Sequence, residues 1–412
     1  MNDSISRQVR APWRTCAVLG LGGLFAGVTG PLLSTFVPVV VRATLGDART
    51  LIGLVMAIDN VLLLLLVPWA GAWSDRAVAH GARRTTLIVA GFLLAALGMA
   101  LFPWAGRGGL VGVIAAMVVL YAGINIQRSP LQALLADAVP SRYRSLATGS
   151  VTFQMCVGAI AFLMLGRALG MHAAFLAAAA TVVGIAAALR AWVVEPAAPS
   201  TPAIEATGRS LLVLARDVLV GSTPGLRPVF VASLLLQLTF QTFTTWFALH
   251  GTERFGVSPG DVTIGFIAWA IGGVIGALPA GLLGVRLGRR ATMLAGLTVM
   301  ALALVALDRV TTLGQAVPLL MLTSAAWTLP MVNAYPMFVE PIGRGQRGSL
   351  SAVFLLSMAL GGAIGDPLNG RVFDLAGSYR WLFLVMAAYA ALAAVAVWLV
   401  PRGCGEAGAS GS

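Results

Sequence analysis

The 412-residue chain contains no lysine; all 27 basic residues are arginine. Charged residues make up only 10% of it, against 58% hydrophobic, and it has three histidines and three cysteines. Each scarcity excludes something. Cys16, Cys156 and Cys404 lack metal-type spacing and an even pairing, so neither a zinc site nor a disulfide framework is expected. His80, His172 and His250 are isolated, and no His/Cys/acid cluster suggests a metal site or a catalytic constellation. No Walker-type loop is present to cradle a nucleotide phosphate, so ATP hydrolysis is not supported and no cofactor is expected. The net charge of +12 and the pI near 11.2 would suit a nucleic-acid binder. The arginines, however, lie in short loops between apolar runs and not in one patch, which excludes that partner. The exclusive use of arginine reads as a coding bias without functional weight.

What is abundant is apolar length. The mean hydropathy of +0.90 requires many membrane spans, because a soluble protein could not hide that much apolar surface. A helix needs ~20 residues to cross ~30 Å of hydrocarbon. Twelve such spans are expected at roughly 14–40, 51–74, 85–104, 109–138, 145–170, 172–193, 227–250, 261–285, 291–308, 314–340, 347–373 and 379–401. The apolar run after Arg7, Arg10 and Arg14 is too long for a cleavable signal, so it is counted as the first span. The arginines set the orientation. With the N-terminus cytoplasmic, Arg7, Arg10, Arg14, Arg76, Arg83, Arg84, Arg142, Arg144, Arg190, Arg209, Arg216, Arg227, Arg286, Arg289, Arg290, Arg344, Arg347 and Arg402 fall inside. The smaller outside set is Arg42, Arg49, Arg107, Arg167, Arg254, Arg309, Arg371 and Arg380, and both termini are expected to be cytoplasmic.

The longest segment between spans divides the chain into an N-terminal bundle at 1–194, a cytoplasmic linker at 195–226 and a C-terminal bundle at 227–412. The linker opens on the extended, proline-rich run from Glu195 to Pro202. It continues through Leu211, Leu212, Leu214, Ala215, Val218 and Leu219, which share one helical face and predict a short helix on the inner membrane surface. The two halves repeat each other. Gly71–Arg84 corresponds to Gly281–Arg290; Asp137 followed by Arg144 corresponds to Glu340 followed by Arg347; Gly158-Ala-Ile and Gly166-Arg167 correspond to Gly362-Ala-Ile and Gly370-Arg371. Matches that keep one order predict two six-helix bundles related in parallel.

The hairpin Gly71-Ala-Trp-Ser-Asp75-Arg76-Ala-Val-Ala-His-Gly81-Ala-Arg83-Arg84 organises the first half. It resembles the G-x-x-x-D-R-x-G-R-R loop between helices 2 and 3 of the major facilitator superfamily, with three extra residues between Arg76 and Gly81. The two-bundle pattern extends that resemblance over essentially the whole chain and implies an all-α, twelve-helix transporter fold that rocks around a midplane site. It also implies a cytoplasmic gate. In that gate Asp137 and Glu340, each followed seven residues later by Arg144 or Arg347, pair with loop arginines such as Arg83 or Arg289 when the inner side is closed. The competing reading of these charges is capping of helix ends. The second hairpin, with Arg286, Arg289 and Arg290, has Val285 where the first has Asp75, so asymmetric gating is expected.

Three charged residues lie within spans away from the span ends: Asp59, Arg128 and Asp366. Asp59 lies ~22 Å and Arg128 ~16 Å from the inner helix ends at 1.5 Å per residue. An intramembrane charge needs a partner or a wet cavity. Two readings stand: Asp59 binds the coupling proton with Arg128 as its partner or a substrate donor, or the two form a static ion pair joining helices 2 and 4. Asp366, before Pro367, is a further acid candidate, read as solvated if it lies near the outer surface.

Around them Asn125-Ile-Gln127-Arg128-Ser129-Pro130-Leu-Gln132-Ala133-Leu134 leads to Asp137, and Asn60 follows Asp59. This pattern is similar to the bacterial sucrose-type and related glycoside-pentoside-hexuronide cation symporters. Gln132 departs from the plant sucrose symporters, which carry an arginine there. The candidate lining adds Gln154, Gln237, Gln241, Thr245, Trp246, Trp269, Asn333 and Tyr335: amides and hydroxyls for solute hydroxyls, and aromatics for a ring. Hydrogen bonding between helices is the competing role for each. The expectation is proton-coupled uptake of a sugar, glycoside or other polyhydroxylated solute by a monomer in the inner (plasma) membrane, with sodium as the alternative coupling ion. Export of a small metabolite or drug is the alternative function, and helix 5 lacks the Gly-Pro-rich run typical of drug antiporters in the superfamily. A non-transporting membrane sensor is the alternative of another class.

Overall fold

The structure is a computed structural model that describes residues 13–139, 144–193, 195, 225–339 and 347–401. Twelve helices occupy the described chain: α1 Trp13–Leu45, α2 Arg49–Met56, α3 Ile58–Ala79, α4 Arg84–Ala105, α5 Gly109–Ala138, α6 Arg144–Trp192, α7 Leu226–Arg254, α8 Pro259–Arg286, α9 Arg289–Asp308, α10 Leu313–Val339, α11 Arg347–Ala376 and α12 Leu382–Trp398. Helices and passes are not one to one. α2 and α3 form a single pass interrupted at Ala57. α6, at 49 residues, would be ~73 Å long if straight, more than twice a bilayer core. It holds two passes, separated at Gly170, whose φ of 77° is open to glycine but costly for a side chain. The described residues therefore make twelve passes. We call the side bearing Trp13 and the 80–83 turn the near face, and the opposite side the far face.

The halves pack alike. In the first, α1 lies along α6, α4 along α5 and α6, and α3 along α5. In the second, α7 lies along α11 and α12, α9 along α10 and α12, and α8 along α10. In lipid, close packing and hydrogen bonds hold helices together, so small residues mark the seams. A Cβ added at Gly98 would sit 2.5 Å from Leu120 Cα, which shows how closely α4 approaches α5. Gly276 plays the same part in the second half, where a Cβ would sit 2.7 Å from Ala325 Cα of α10. The halves meet along three seams: α11 against α2 and α3, α6 against α8, and α1 against α7.

Two boundaries differ from the sequence expectation. The second pass was expected to end at Ser74, but α3 continues to Ala79, so the extra residues after Arg76 add a helical turn. That turn closes with His80 Nδ1 2.7 Å from the Arg76 carbonyl and Gly81 at φ 82°. The expected surface helix around Leu211–Leu219 lies outside the described residues. Of the linker's opening, Glu195 is described. Its carboxylate accepts from the amides of Arg84 at 2.7 Å and Thr85 at 2.9 Å, and from the Thr85 hydroxyl. It thereby caps α4, whose preceding residue Arg83 supplies no side-chain cap.

The seam geometry predicts a contrast between two glycines. Gly98→Val forces α4 from α5 and should cost about 1–3 kcal/mol, lowering the melting temperature in detergent. Gly184→Ala, where nothing lies within 4 Å of an added Cβ, should leave it unchanged or slightly raised. Equal melting shifts in the two variants would contradict this packing.

Candidate functional site

A cavity of about 610 Å³ lies between the halves. α1, α5 and α6 contribute Phe25, Thr29, Tyr121, Gln127, Arg128, Gln132, Val151 and Met155; α3 contributes Asp59. From the second half, α7 contributes Phe240, Gln241, Phe243, Thr244 and Thr245, and α8 contributes Phe266 and Trp269. It reaches toward the near face along α5, where Gln132 and Leu135 lie within two turns of the helix end at Ala138. Such a shape, apolar and aromatic with a few convergent polar groups, is what a small-solute site requires.

Asp59 and Arg128 both line it, but they make no ion pair within 4.0 Å. Asp59 Oδ1 accepts instead from Asn125 Nδ2 at 3.1 Å, while the same amide donates to the Tyr121 carbonyl at 2.9 Å. The static ion pair considered from the sequence is thus replaced by a hydrogen bond, with Arg128 acting on Asp59 from a distance and exposed in the cavity. Asp366 is also corrected: it is fully buried, not solvated at a surface, because α11 packs it against α7 and the α2–α3 pass. Its Oδ2 accepts from Gln241 Nε2 at 2.9 Å. Gln241 also reaches Thr245 Oγ1 at 3.2 Å, so the stripe noted in α7 touches the cavity and the buried acid together.

The remaining candidates divide. Gln127, Gln132, Gln241, Thr245 and Trp269 reach the cavity. Trp269 stacks on Phe243 at 4.1 Å and Trp327 on Phe240 at 5.1 Å, which gives the second half a rigid aromatic wall. Trp246 does not reach it. It is buried, with Phe373 at 5.2 Å and Tyr379 at 5.9 Å, in the far-face packing of the second half. Asn60 faces Gly362 across the α3–α11 seam, and Gln237 faces Gly361 across the α7–α11 seam. Gln154 bonds the Ala17 carbonyl at 2.9 Å, and Asn333 bonds the Ala280 carbonyl at 3.1 Å, so each ties one helix to another. Tyr335 packs edge-on to Phe354 at 5.3 Å, away from the cavity. Tyr121, Phe240 and Phe243 were missed. Tyr121 opens the same face of α5 as Arg128 and Gln132, at i, i+7 and i+11, and that spacing was available to find it.

The candidate gating residues divide as well. Arg84, not Arg83, binds Asp137, at 3.3 Å, and it binds Asp75 at 2.5 Å, so these ion pairs stay within the first half. Arg83 and Arg76 are exposed, and a Cβ on Gly71 would lie 2.6 Å from Ser129 Oγ of α5. In the second half Arg290 donates to the Trp398 carbonyl at 2.6 Å, and Arg286 is exposed. The backbones of Arg144 and Arg347 begin α6 and α11; Glu340 lies outside the described residues.

Ion pairs between the halves occur on the far face. α2 begins after Ala48, which has no side chain to cap it. Asp374 of α11 caps it from the other half, accepting from the amides of Arg49 at 3.0 Å and Thr50 at 2.8 Å and from the Thr50 hydroxyl. Arg42 and Arg49 reach Glu253 of α7 at 3.6 and 4.0 Å, and their guanidinium groups lie over the Tyr379 ring at 5.2 and 4.7 Å. Arg167 of α6 pairs with Asp261 of α8 at 3.1 Å. The structure is therefore closed at the far face.

Comparisons agree with this architecture. The family model described as Major Facilitator Superfamily matches residues 19–273 and 229–408. No curated protein sequence matches the chain. Among solved structures, a bacterial homologue of the human lysosomal transporter Spinster, inward-facing and occupied, superposes with a TM-score of 0.73 at 15% identity, covering 93% of this chain and 95% of that one. A D-xylose-proton symporter gives 0.70 at 16%, covering 95% and 99%. The E. coli fucose:proton symporter, in a single-substitution variant, gives 0.60 at 16%, covering 95% and 98%.

Removing the cap should loosen the far face. Asp374→Ala is expected to cost the far-closed state about 1 kcal/mol, a shift of roughly fivefold toward far-open. Spin labels at Arg107→Cys and Thr311→Cys, in the exposed far-face loops of the two halves, read that shift as a growing long-distance population. An unchanged distance distribution would mean that the cap does not hold the halves.

Proposed function

Because this chain belongs to the Major Facilitator Superfamily and carries a largely apolar, aromatic cavity with convergent polar groups between its halves, we propose that it is a proton-coupled symporter for a ring-bearing, polyhydroxylated solute such as a sugar or glycoside. The observation that carries the proposal is the composition of that cavity. Gln127, Gln132, Gln241, Thr244 and Thr245 offer donors and acceptors for solute hydroxyls, the stacked Trp269 and Phe243 offer a flat apolar face for a ring, and Asp59 and Arg128 place opposite charges on the same wall. The fold shared with a D-xylose-proton symporter and a fucose:proton symporter supports this reading, as does the resemblance of the Arg128-Ser129-Pro130 run to that of glycoside cation symporters.

Transport proceeds by alternating access. The far-face contacts around Asp374, Glu253 and Asp261 break as the cavity closes toward the near face, and re-form as it opens. The coupling proton resides on an intramembrane acid, Asp59 or Asp366, and Arg128 tunes Asp59 or contacts the solute. The arginine-rich near face is placed in the cytoplasm of a cell whose inner membrane holds the protein as a monomer, with both termini inside.

The test is a panel of sugars and glycosides added to purified protein in liposomes that trap a pH-sensitive dye. At least one should evoke proton influx in wild type and none in an Asp59→Asn, Asp366→Asn double variant that retains its fold. Solute entry without proton movement in wild type would overturn the coupling, and silence across the panel would overturn the solute class.

A further inference from the structure

The two intramembrane acids come from opposite halves and live in different surroundings. Asp59, on α3, lines the cavity, accepts from Asn125 and feels the positive charge of Arg128. Asp366, on α11, is 0% exposed and makes no ion pair with a described residue. Its Oδ2 is bonded by Gln241, the Thr245 hydroxyl also faces the carboxyl group, and its Oδ1 is buried with no hydrogen-bond partner among the described residues. The titratable groups that face it are Asp59 and Tyr121 of α5, neither of them a cation. Arg371 and Asp374 on its own helix, Arg49 on α2 and Tyr389 on α12 lie further toward the far face. A carboxylate closed off from water, with one oxygen lacking a hydrogen bond and another carboxyl group facing it, is costly to keep charged, and a neutral acid avoids that cost.

We propose that Asp366 carries the coupling proton, and that Gln241 and Thr245 relay its charge state to the cavity. This rests on the proton-coupled reading above. Gln241 and Thr245 are cavity-lining residues that also face Asp366, which itself stands one layer behind the wall. A charged Asp366 holds the Gln241 amide hydrogens. Protonation weakens that acceptor, and the Gln241 amide is then free to bind a solute hydroxyl. Proton and solute therefore bind with positive coupling. The same proton permits the far face to close. In the closed state the backbone carbonyl of Asp366 meets Gly53, and Asn60 meets Gly362, which leaves no room for water to solvate a charge on the α11 side of the seam. Release of the proton then favours reopening of the far face. Asp59 is left as the charge that orients Arg128 and the solute.

The spin-label pair at Arg107 and Thr311 tests this without a known solute. The native cysteines are first replaced, and distance distributions are taken between about pH 5 and pH 9; single-proton linkage changes the closed-to-open ratio by up to ~10-fold per pH unit. Wild type should lose the far-closed population as pH rises. Asp366→Asn should flatten that dependence, Asp366→Glu should restore it with its titrating carboxyl, and Asp59→Asn should retain it. The assignment is overturned, with proton coupling intact, if the dependence vanishes in Asp59→Asn and survives in Asp366→Asn. Loss in both single variants makes the pair the titrating unit and also overturns it. A flat profile in wild type overturns the proton-coupled reading itself.

Discussion

A charge at membrane depth must be wetted or partnered, and that constraint arranges this molecule. The chain spends few charges inside its spans, and each finds a different solution. Arg128 is exposed to the cavity. Asp59 shares the cavity and borrows an amide from Asn125. Asp366 is buried, forms no ion pair with a described residue and leans on the Gln241 amide. The polar wall of the cavity and the seam between the halves are thus linked through the same few residues of α7 and α11.

The far face shows how little contact is needed to hold the two halves. One carboxylate, Asp374, completes the start of a helix in the opposite half that lacks its own cap. Two arginines share Glu253 and the ring of Tyr379, and one exposed pair joins Arg167 to Asp261. Partly exposed pairs are worth ~0–1 kcal/mol each, so these polar contacts add small terms to the helix packing along the three seams. The near-face ion pairs around Arg84 remain inside the first half, where they tie the α3–α4 hairpin to α5.

Much of this was legible in the sequence. Twelve apolar runs, an ordered internal repeat and a basic hairpin are one-dimensional signals, and the family match agrees with the fold they imply. Asp59, Arg128, Gln241 and Thr245 stood out because polar groups in apolar helices are costly. The direction a residue faces was less legible. Trp246 follows Thr245, yet one step around a helix turns it by about 100°, out of the cavity and into the packing against Phe373. Asn333 and Gln154 carry the same chemistry as the cavity amides and spend it on carbonyls of neighbouring helices. Pairings over long separations, such as Thr50 with Asp374, leave no local pattern to read.

The central claim is that this cavity faces each side of the membrane in turn. The most direct measurement is the labelling rate of Thr244→Cys, at mid-depth in the cavity wall, with an impermeant thiol reagent applied from one side at a time, in a background without native cysteines. Gly370→Val is then added; a Cβ there would already lie 2.5 Å from the Arg49 carbonyl, so the larger side chain obstructs far-face closure. The account predicts labelling from both sides in the parent. With Gly370→Val, near-side labelling should slow and far-side labelling quicken, by roughly tenfold for each ~1.4 kcal/mol of lost closure. Rates that stay the same from both sides would contradict it.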